Sequence, residues 1–411
     1  MTRCVAVFGD ISSQIRAINR SPYGFRLRHA VVILSEVPPL MRLHAFLLKT
    51  RKMLDFFGFG MVKSKCKTIF FGGFPSMPKV FKKLDEAMFK TEPCITRYPD
   101  PVLTYKDVPY KAALTFNAGV LKKENGKYIM IFRNDYGDYE NQKLEGTNMG
   151  LAFSDDGIHF EVDPEPCFAM KDDEIMRVYD PRITEIDGEY CICFAVDTKH
   201  GVCGGMATSK DLKKFDIKSI SVPENRNMVL FPEKINGNYV RLERPMPVYS
   251  RGGDVFDIWL SESPDLVYWG KSRLVMGVED VPFANDKIGP GAAPLKTDKG
   301  WLMIFHAVDR DLDRGKNGWE AKWTKRYTIG IALLDLNDPS KIIGMSKKPL
   351  IVPEGHWETV EGFRTNVLFP CGAILEDDDT VRIYYGASDT VVCMATAKLD
   401  DLIALCTEPR K

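Results

Sequence analysis

Charged and amide residues recur in this 411-residue sequence beside short apolar runs, at a near-constant distance from tight turns. Arg133 and Arg244 each stand seven residues after a turn glycine, Gly126 and Gly237, and His306 stands six after Gly300. The runs that precede those turns open on Asn117, Asp180, Asn225-Arg226-Asn227, Lys287 and Asn366, and further run ends carry Asp135, Asp197 and Ser388-Asp389. Brought to one opening, Arg133, Arg226, Arg244, Lys287 and His306 make a cationic cluster beside Asp180, Asp135 and Asp389. Such a cluster binds an anion, and the planar fork of arginine matches phosphate or carboxylate. A carboxylate beside it is a candidate general acid, because few other groups in the set can donate a proton. A merely solvated charged rim is the plainer reading of the same residues. Trp319, Trp323 and Tyr327, in the insertion DRDLDRGKNGWEAKWTKRY, and His356-Trp357 add faces of the kind on which sugar rings stack, although Trp319 could equally pack its own loop. Anion site, acid and aromatics together point to a carbohydrate enzyme that uses phosphate.

The elements that must position these residues repeat. From about residue 112, five units each run apolar strand, tight turn, second strand rich in β-branched and aromatic residues. The turns are Asn125-Gly126, Asp187-Gly188, Asn236-Gly237, Lys299-Gly300 and Asp377-Asp378-Asp379. Asn-Gly and Asp-Gly between alternating apolar runs are strong hairpin signals. Each unit closes on a third strand and an acidic turn, at Asp156, Asp211, Asp265, Asp338 and Asp401, spaced by 55, 54, 73 and 63 residues. That period suits four-stranded blades with variable loops, so the expected fold is an all-β, five-bladed β-propeller. A β-sandwich with incidental hairpin similarity is the alternative. Trp259 and Trp301 are expected in blade cores, and a short helix over 80–89.

Composition narrows the class. Hydrophobic residues make up 45% and charged residues 27%, the mix of a globular protein. Lys+Arg and Asp+Glu both number 56, which leaves no general basic field for nucleic acid, and no run approaches a membrane span. Ten cysteines form no CxxC pair and no zinc-type grouping, and read as reduced thiols of a cytoplasmic protein. Residues 1–86 carry 15 Lys+Arg against 5 Asp+Glu, and they lack the repeat. A small appended element and a targeting segment compete with an upstream extension. The extension is favoured, with a natural start near Met77. The expected organisation is therefore an N-terminal extension, 1–90, and a propeller, 91–411; the edges and the charged front leave room for a homo-oligomer.

The stretches VYDPRITEIDGEY (178–190), NMVLFPEKINGNYVRLERP (227–245), KIGPGAAPLKTDKGWLMIFH (287–306) and NVLFPCGAILEDDDTVRIYYGASDT (366–390) resemble glycoside hydrolase family 130, and the likeness runs over about residues 95–405. The resemblance implies an inverting β-mannoside phosphorylase that releases α-mannose 1-phosphate from a β-mannoside and inorganic phosphate, with neither cofactor nor metal. It implies Asp180 as the single general acid, acting through the 3-hydroxyl of the bound mannosyl unit. It further implies Arg226, Arg244, Lys287 and Tyr327 around phosphate, and Asn117, Arg133, Asp135, His306 and Asp389 around mannose. Retention of Arg226, Arg244 and Lys287 argues against the hydrolytic members. The expected substrate is a β-1,4-mannoside of glucose or mannose, with β-1,2-mannosides next. One departure bears on linkage: β-1,4-acting members typically carry a His just after the Arg-Pro of the third unit. Here that loop reads MPVYSRGGDVF (246–256), with Tyr249, Ser250 and Arg251. A β-mannosidase using Asp135, Glu358 or Glu361 as base, and a sugar-binding propeller with no need of Asp180, are the competing functions.

Overall fold

The computed structural model describes residues 60–64, 67–71, 81–246, 256–315, 318–320 and 323–407. Met77, most of the front segment, and Tyr249, Ser250 and Arg251 lie outside them. The chain divides into two compact units, Met1–Val80 and Phe81–Lys411. In the first, β1 (Gly60–Ser64) and β2 (Lys67–Phe71) pair antiparallel. The second opens where a helix is expected, but the described residues form only a 3-10 turn, Glu86–Met88, capped by the Asp85 carboxylate. The aromatic anchors of this segment do not share a helix face: Phe81 and Phe89 lie separately under the guanidiniums of Arg310 and Arg326.

After β3 (Thr96–Arg97), the strands form five small sheets in a ring, a five-bladed β-propeller. Blade I holds β4 (Leu114–Lys122), β5 (Tyr128–Asp138), β6 (Lys143–Ser154) and β7 (Glu161–Val162). Blade II holds β8 (Ile175–Ile186), β9 (Glu189–Thr198), β10 (Gly201–Ser209) and β11 (Asp216–Ile220). Blade III holds β12 (Asn225–Leu230), β13 (Tyr239–Pro245), β14 (Ile258–Ser263) and β15 (Gly270–Met276). Blade IV holds β16 (Lys287–Pro290), β17 (Leu295–Lys296), β18 (Trp301–Arg310), β19 (Lys325–Leu334) and β20 (Ile342–Met345). Blade V follows a short helix, α1 (His356–Thr359), with β21 (Leu368–Leu375), β22 (Thr380–Ala387) and β23 (Val391–Lys398). Its outermost strand is β3, which pairs with β23 through Ala395–Arg97 and Thr396–Thr96 and so closes the ring. The fifth unit's third strand, β23, accordingly runs not into an acidic turn but into helix α2 (Leu399–Thr407), which contains Asp401.

Side chains alternate across a strand, and the blades use that period to fill the seams on both sides. In β5, Met130 and Phe132 enter the cluster shared with blade V, while Ile129 and Ile131 enter the one shared with blade II. In β9, Ile192 and Phe194 face blade I and Cys191 and Cys193 face blade III. In β18, Leu302 and Ile304 face blade V and Met303 and Phe305 face blade III. Each such side chain, fully buried, favours the fold by about 1.5–3 kcal/mol. Trp301 is buried as expected, whereas Trp259 is only half-buried.

The closing turns explain the acidic spacing. In blades I to III, Asp156, Asp211 and Asp265 each accept backbone N–H groups two and three residues on, with Ser154, Ser209 or Ser263 two residues before. In blade IV the same work is done by Asp335, whose Oδ1 accepts from Asn337 and Asp338, so the equivalent residue is Asp335 and not Asp338. Among the described residues no helix is long and apolar enough to cross a membrane.

Candidate active site

The inner strands of three successive blades bulge at the same place. Register breaks in β4, β8 and β12 put Asn117, Asp180 and Asn227 in the left-handed region, at φ 50°, 56° and 56°. Asn and Asp tolerate that conformation better than other L-residues, and a bulge re-aims the side chain it carries. All three side chains are buried. The second strands complete the set by register: Arg133 lies opposite Phe116, Arg244 opposite Arg226, and His306 opposite Gly289. The glycine is needed there, because a Cβ at Gly289 would come within 2.5 Å of the His306 ring.

Asp180 is the hub. Its Oδ1 accepts from Asn117 Nδ2 at 2.8 Å and from Arg133 Nη1 at 3.2 Å, and its Oδ2 accepts from Arg226 Nη2 at 3.1 Å. Burial favours the neutral carboxyl, but the guanidiniums of Arg133, Arg226 and Arg182 outweigh it and lower the pKa to about 2. Arg133 also clamps Asp135 through Nε (2.8 Å) and Nη2 (2.6 Å), and its guanidinium stacks on both Phe116 and Tyr179. Thr147 donates to the same Asp135. Burial opposes the charge of Arg133, yet Asp135 and Asp180 hold it firmly protonated.

Around the corner lies positive charge with little to balance it. Arg244 is buried, its Nε has no hydrogen-bond partner among the described residues, and Nη1 meets His306 Nε2 at 3.4 Å. Burial and then the like charge of Arg226 pull Arg244 down to about 9. Lys287 is lowered well below its ordinary value by burial, Arg244 and Lys325. Its ammonium lies over Phe256 at 4.9 Å and Tyr327 at 5.9 Å. Among the described residues, no carboxylate is ion-paired with Arg244 or Lys287. Tyr327 stacks on Trp323 and His306, and burial raises its hydroxyl to about 12, which keeps it a donor. Two guanidiniums, an ammonium and a phenol thus surround a place that wants an anion.

His306 is wholly buried, between Tyr327 and Phe369. Burial and then Arg244, Arg182, Lys287 and Arg226 keep it neutral, and Asn227 and Arg244 both approach its Nε2, which accepts. On Asp389, burial pushes the carboxyl upward against Arg364, whose Nη1 donates to it at 3.2 Å, and against Arg133. All ten sequence-chosen residues therefore belong to one linked network, with Asp389 joined through Arg364 and through the charges of Arg133 and Asp180. Trp323 stands beside it. Trp319 packs instead against Tyr139 and Phe363, and Trp357 against the apolar cluster shared by blades IV and V.

Sequence reading passed over Arg182 and Arg364. Arg182 is buried, donates from Nη1 to the Asp180 carbonyl at 2.9 Å and from Nε to the Gly291 carbonyl at 3.2 Å, and lies over Phe369. Its signal was present, two residues beyond the bulge in Tyr-Asp-Pro-Arg. Arg364 comes from a loop outside the repeat, which left none. Of the candidate bases, Asp135 is held by Arg133 and Thr147, and Glu361 is bonded to Tyr139 and His356. Glu358 is buried with both oxygens occupied, by Arg97, Tyr385 and the backbone N–H groups of Glu354 and Gly355. Among the described residues no group of three or more His, Cys, Asp or Glu is placed to hold a metal ion.

Comparison with known proteins places the chain among relatives of one family. A β-1,2-mannobiose phosphorylase of Listeria innocua is 34% identical over 64% of this chain and 71% of its own length. A β-1,4-mannooligosaccharide phosphorylase of Ruminococcus albus is 33% identical over 75% of this chain and 90% of its own. The solved Listeria innocua enzyme, in complex with β-1,2-mannobiose, superposes with a TM-score of 0.65 at 27% identity, covering 76% of this chain and 99% of that one. The family model for glycoside hydrolase family 130, described as β-1,4-mannooligosaccharide phosphorylase, matches residues 89–408, and the chain belongs to that family.

Proposed function

We propose that this protein catalyses inverting phosphorolysis of a β-mannoside. The observation that carries the reading is the pairing of one buried carboxylate, Asp180, with cations that have no carboxylate ion-paired to them among the described residues, Arg244 and Lys287, across Arg226. Hydrolysis by inversion needs a second carboxylate, roughly 6.5–9.5 Å from the first, to activate water. Phosphate is already a nucleophile, so here cations that position it take that place, and proximity supplies much of the rate. Arg226, Arg244, Lys287 and the Tyr327 hydroxyl hold the phosphate in line with the anomeric carbon. Asn117, Arg133, Asp135 and Asp389 orient the mannosyl unit, and buried, neutral His306 orients Arg244.

A phosphate oxygen forms the new bond to C1 from the α face as the bond from C1 to the β-linked oxygen breaks. The Asp180 proton passes through the sugar 3-hydroxyl to the departing oxygen, giving α-mannose 1-phosphate and a free acceptor sugar. The hydrolase reading gains no support from Asp135, Glu358 or Glu361, whose carboxylates are engaged elsewhere. For the linkage we favour β-1,2 over the β-1,4 expected from sequence. The third-unit loop has no histidine, and the β-1,2 relatives are at least as similar as the β-1,4 one.

Incubation with β-1,2- and β-1,4-mannobiose and mannosyl-glucose, with and without inorganic phosphate, and followed by proton NMR, tests both levels. Phosphate-dependent α-mannose 1-phosphate is expected, fastest from the β-1,2 disaccharide. Free mannose at the same rate without phosphate would refute the phosphorylase, and preference for a β-1,4 substrate would refute the linkage.

A further inference from the structure

Arg226 serves two anions. Its Nη2 donates to Asp180 Oδ2 at 3.1 Å, and on the phosphorylase reading, upon which this inference rests, the same guanidinium takes phosphate. Asp180 is faced by Asn117 from β4, Arg133 from β5, Arg182 from its own strand and Arg226 from β12; Tyr179 adjoins it. Asp389 and Cys371 also lie within electrostatic reach of it. Every hydrogen bond to its two oxygens comes from a donor, which favours the ionised carboxylate. In the free protein Asp180 therefore has no proton to give, although its proposed task is to give one.

The stoichiometry of the whole reaction needs no net proton. Hydrogen phosphate dianion brings one proton that the phosphate of the product ester dianion lacks, and the released acceptor hydroxyl gains one. Turnover balances if Asp180 takes a proton from solvent when phosphate binds and passes it to the acceptor oxygen, while the proton that phosphate brought returns to solvent as the product ester dianion is released. The geometry supplies the exchange, because the anion competes with Asp180 for Arg226 and its charge offsets the field of Arg226, Arg244 and Lys287.

We propose that phosphate loads the acid: on binding it draws Arg226 from Asp180, the carboxyl takes up a proton, and the acid is charged only when the nucleophile is in place. The catalyst is then unarmed toward water whenever phosphate is absent, which suppresses wasteful hydrolysis without any base being deleted. Asp389 is not part of this exchange, since its partner is Arg364 and not a phosphate cation.

Calorimetric titration of inorganic phosphate at pH 8, in two buffers of different ionisation heat, counts the protons taken up per anion bound. Lys287 and phosphate itself also exchange protons, so the comparison is with Asp180→Asn, which keeps both. The wild type should take up more protons than the variant, by as much as one per phosphate. The variant should bind phosphate at least as tightly, having lost the competing carboxylate. Equal uptake, with phosphate bound by both, overturns the inference. No binding by the wild type would overturn the phosphate site itself, a separate failure. Should the variant not fold, infrared difference spectra of the wild type decide: a protonated-carboxyl stretch must appear on adding phosphate, and its absence refutes the loading step.

Discussion

Catalytic groups are often a burden on the fold that carries them, and Asp180 should be the opposite. Replacing it by Asn preserves shape, suits the left-handed backbone at φ 56°, and keeps acceptor and donor atoms, but removes the charge. The carboxyl is lowered from 3.8 to about 2 in the folded protein. A group with a depressed folded pKa stabilises the fold above its unfolded value and loses that contribution as the pH falls through the folded one, here between pH 4 and pH 2. With those two values, linkage gives about 2 kcal/mol at pH 7 and roughly half of that at pH 3. Urea unfolding of wild type and Asp180→Asn, in buffer free of phosphate and sulfate, should therefore show the variant less stable by about 2 kcal/mol at neutral pH, and the gap should roughly halve by pH 3. The anion-free buffer matters, since any ligand of the native cation cluster would stabilise both proteins by mass action. A variant as stable as the wild type at pH 7, or a gap indifferent to pH, would refute the claim that Arg133, Arg226 and Arg182 outweigh the burial of Asp180.

Two further outcomes follow from the same electrostatics. Arg244→Met should raise stability by about 1 kcal/mol or more, because it removes a buried cation that the fold holds below its ordinary pKa. Phosphate affinity should fall by about 10- to 100-fold, the loss of one charged hydrogen-bond donor. Denaturation and phosphate titration of one sample check both, and a destabilised variant would show that Arg244 is balanced in the free protein. Glu358→Gln should cost about 1.5–3 kcal/mol, since it takes the charge from a buried carboxylate that holds half-buried Arg97 of the ring-closing strand. Its kcat, corrected for the folded fraction, should be unchanged; loss of kcat with unchanged stability would make Glu358 a base and revive the hydrolase.

Much of the architecture was legible because local chemistry decides it. Tight turns between strands with period-two apolar residues specify hairpins, and five such turns, three of them Asn-Gly or Asp-Gly, delimited the five blades. The ring of polar residues was legible for a related reason: in each repeat, the same offset from a turn reaches the same end of the blade. That is why Arg133, Arg244 and His306 could be grouped with Asn117, Asp180 and Lys287 before any contact was seen. Where the repeat lapses, the reading lapsed. Asp335 replaced Asp338 because blade IV's turn is offset by three residues, and the helix expected over 80–89 dissolved because Arg310 and Arg326 take its aromatics one by one.

By itself, then, the sequence determined the number of blades, the hairpins that build them, and the identity of the charged groups that share one mouth. Those follow from turn chemistry and from the two-residue period of a strand, which are properties of neighbours in the chain. Only the tertiary structure decided which cations are ion-paired with a carboxylate among the described residues and which are not. Arg133 is committed to Asp135 and Asp180, while Arg244 is left facing a neutral His306, and Arg182, unnoticed in its motif, braces the carbonyl of the acid. It also decided that β3, more than 290 residues before its partner strand, closes the ring. Charge balance at a buried site and the closure of a ring depend on distances between residues far apart in sequence, and no local pattern encodes those distances.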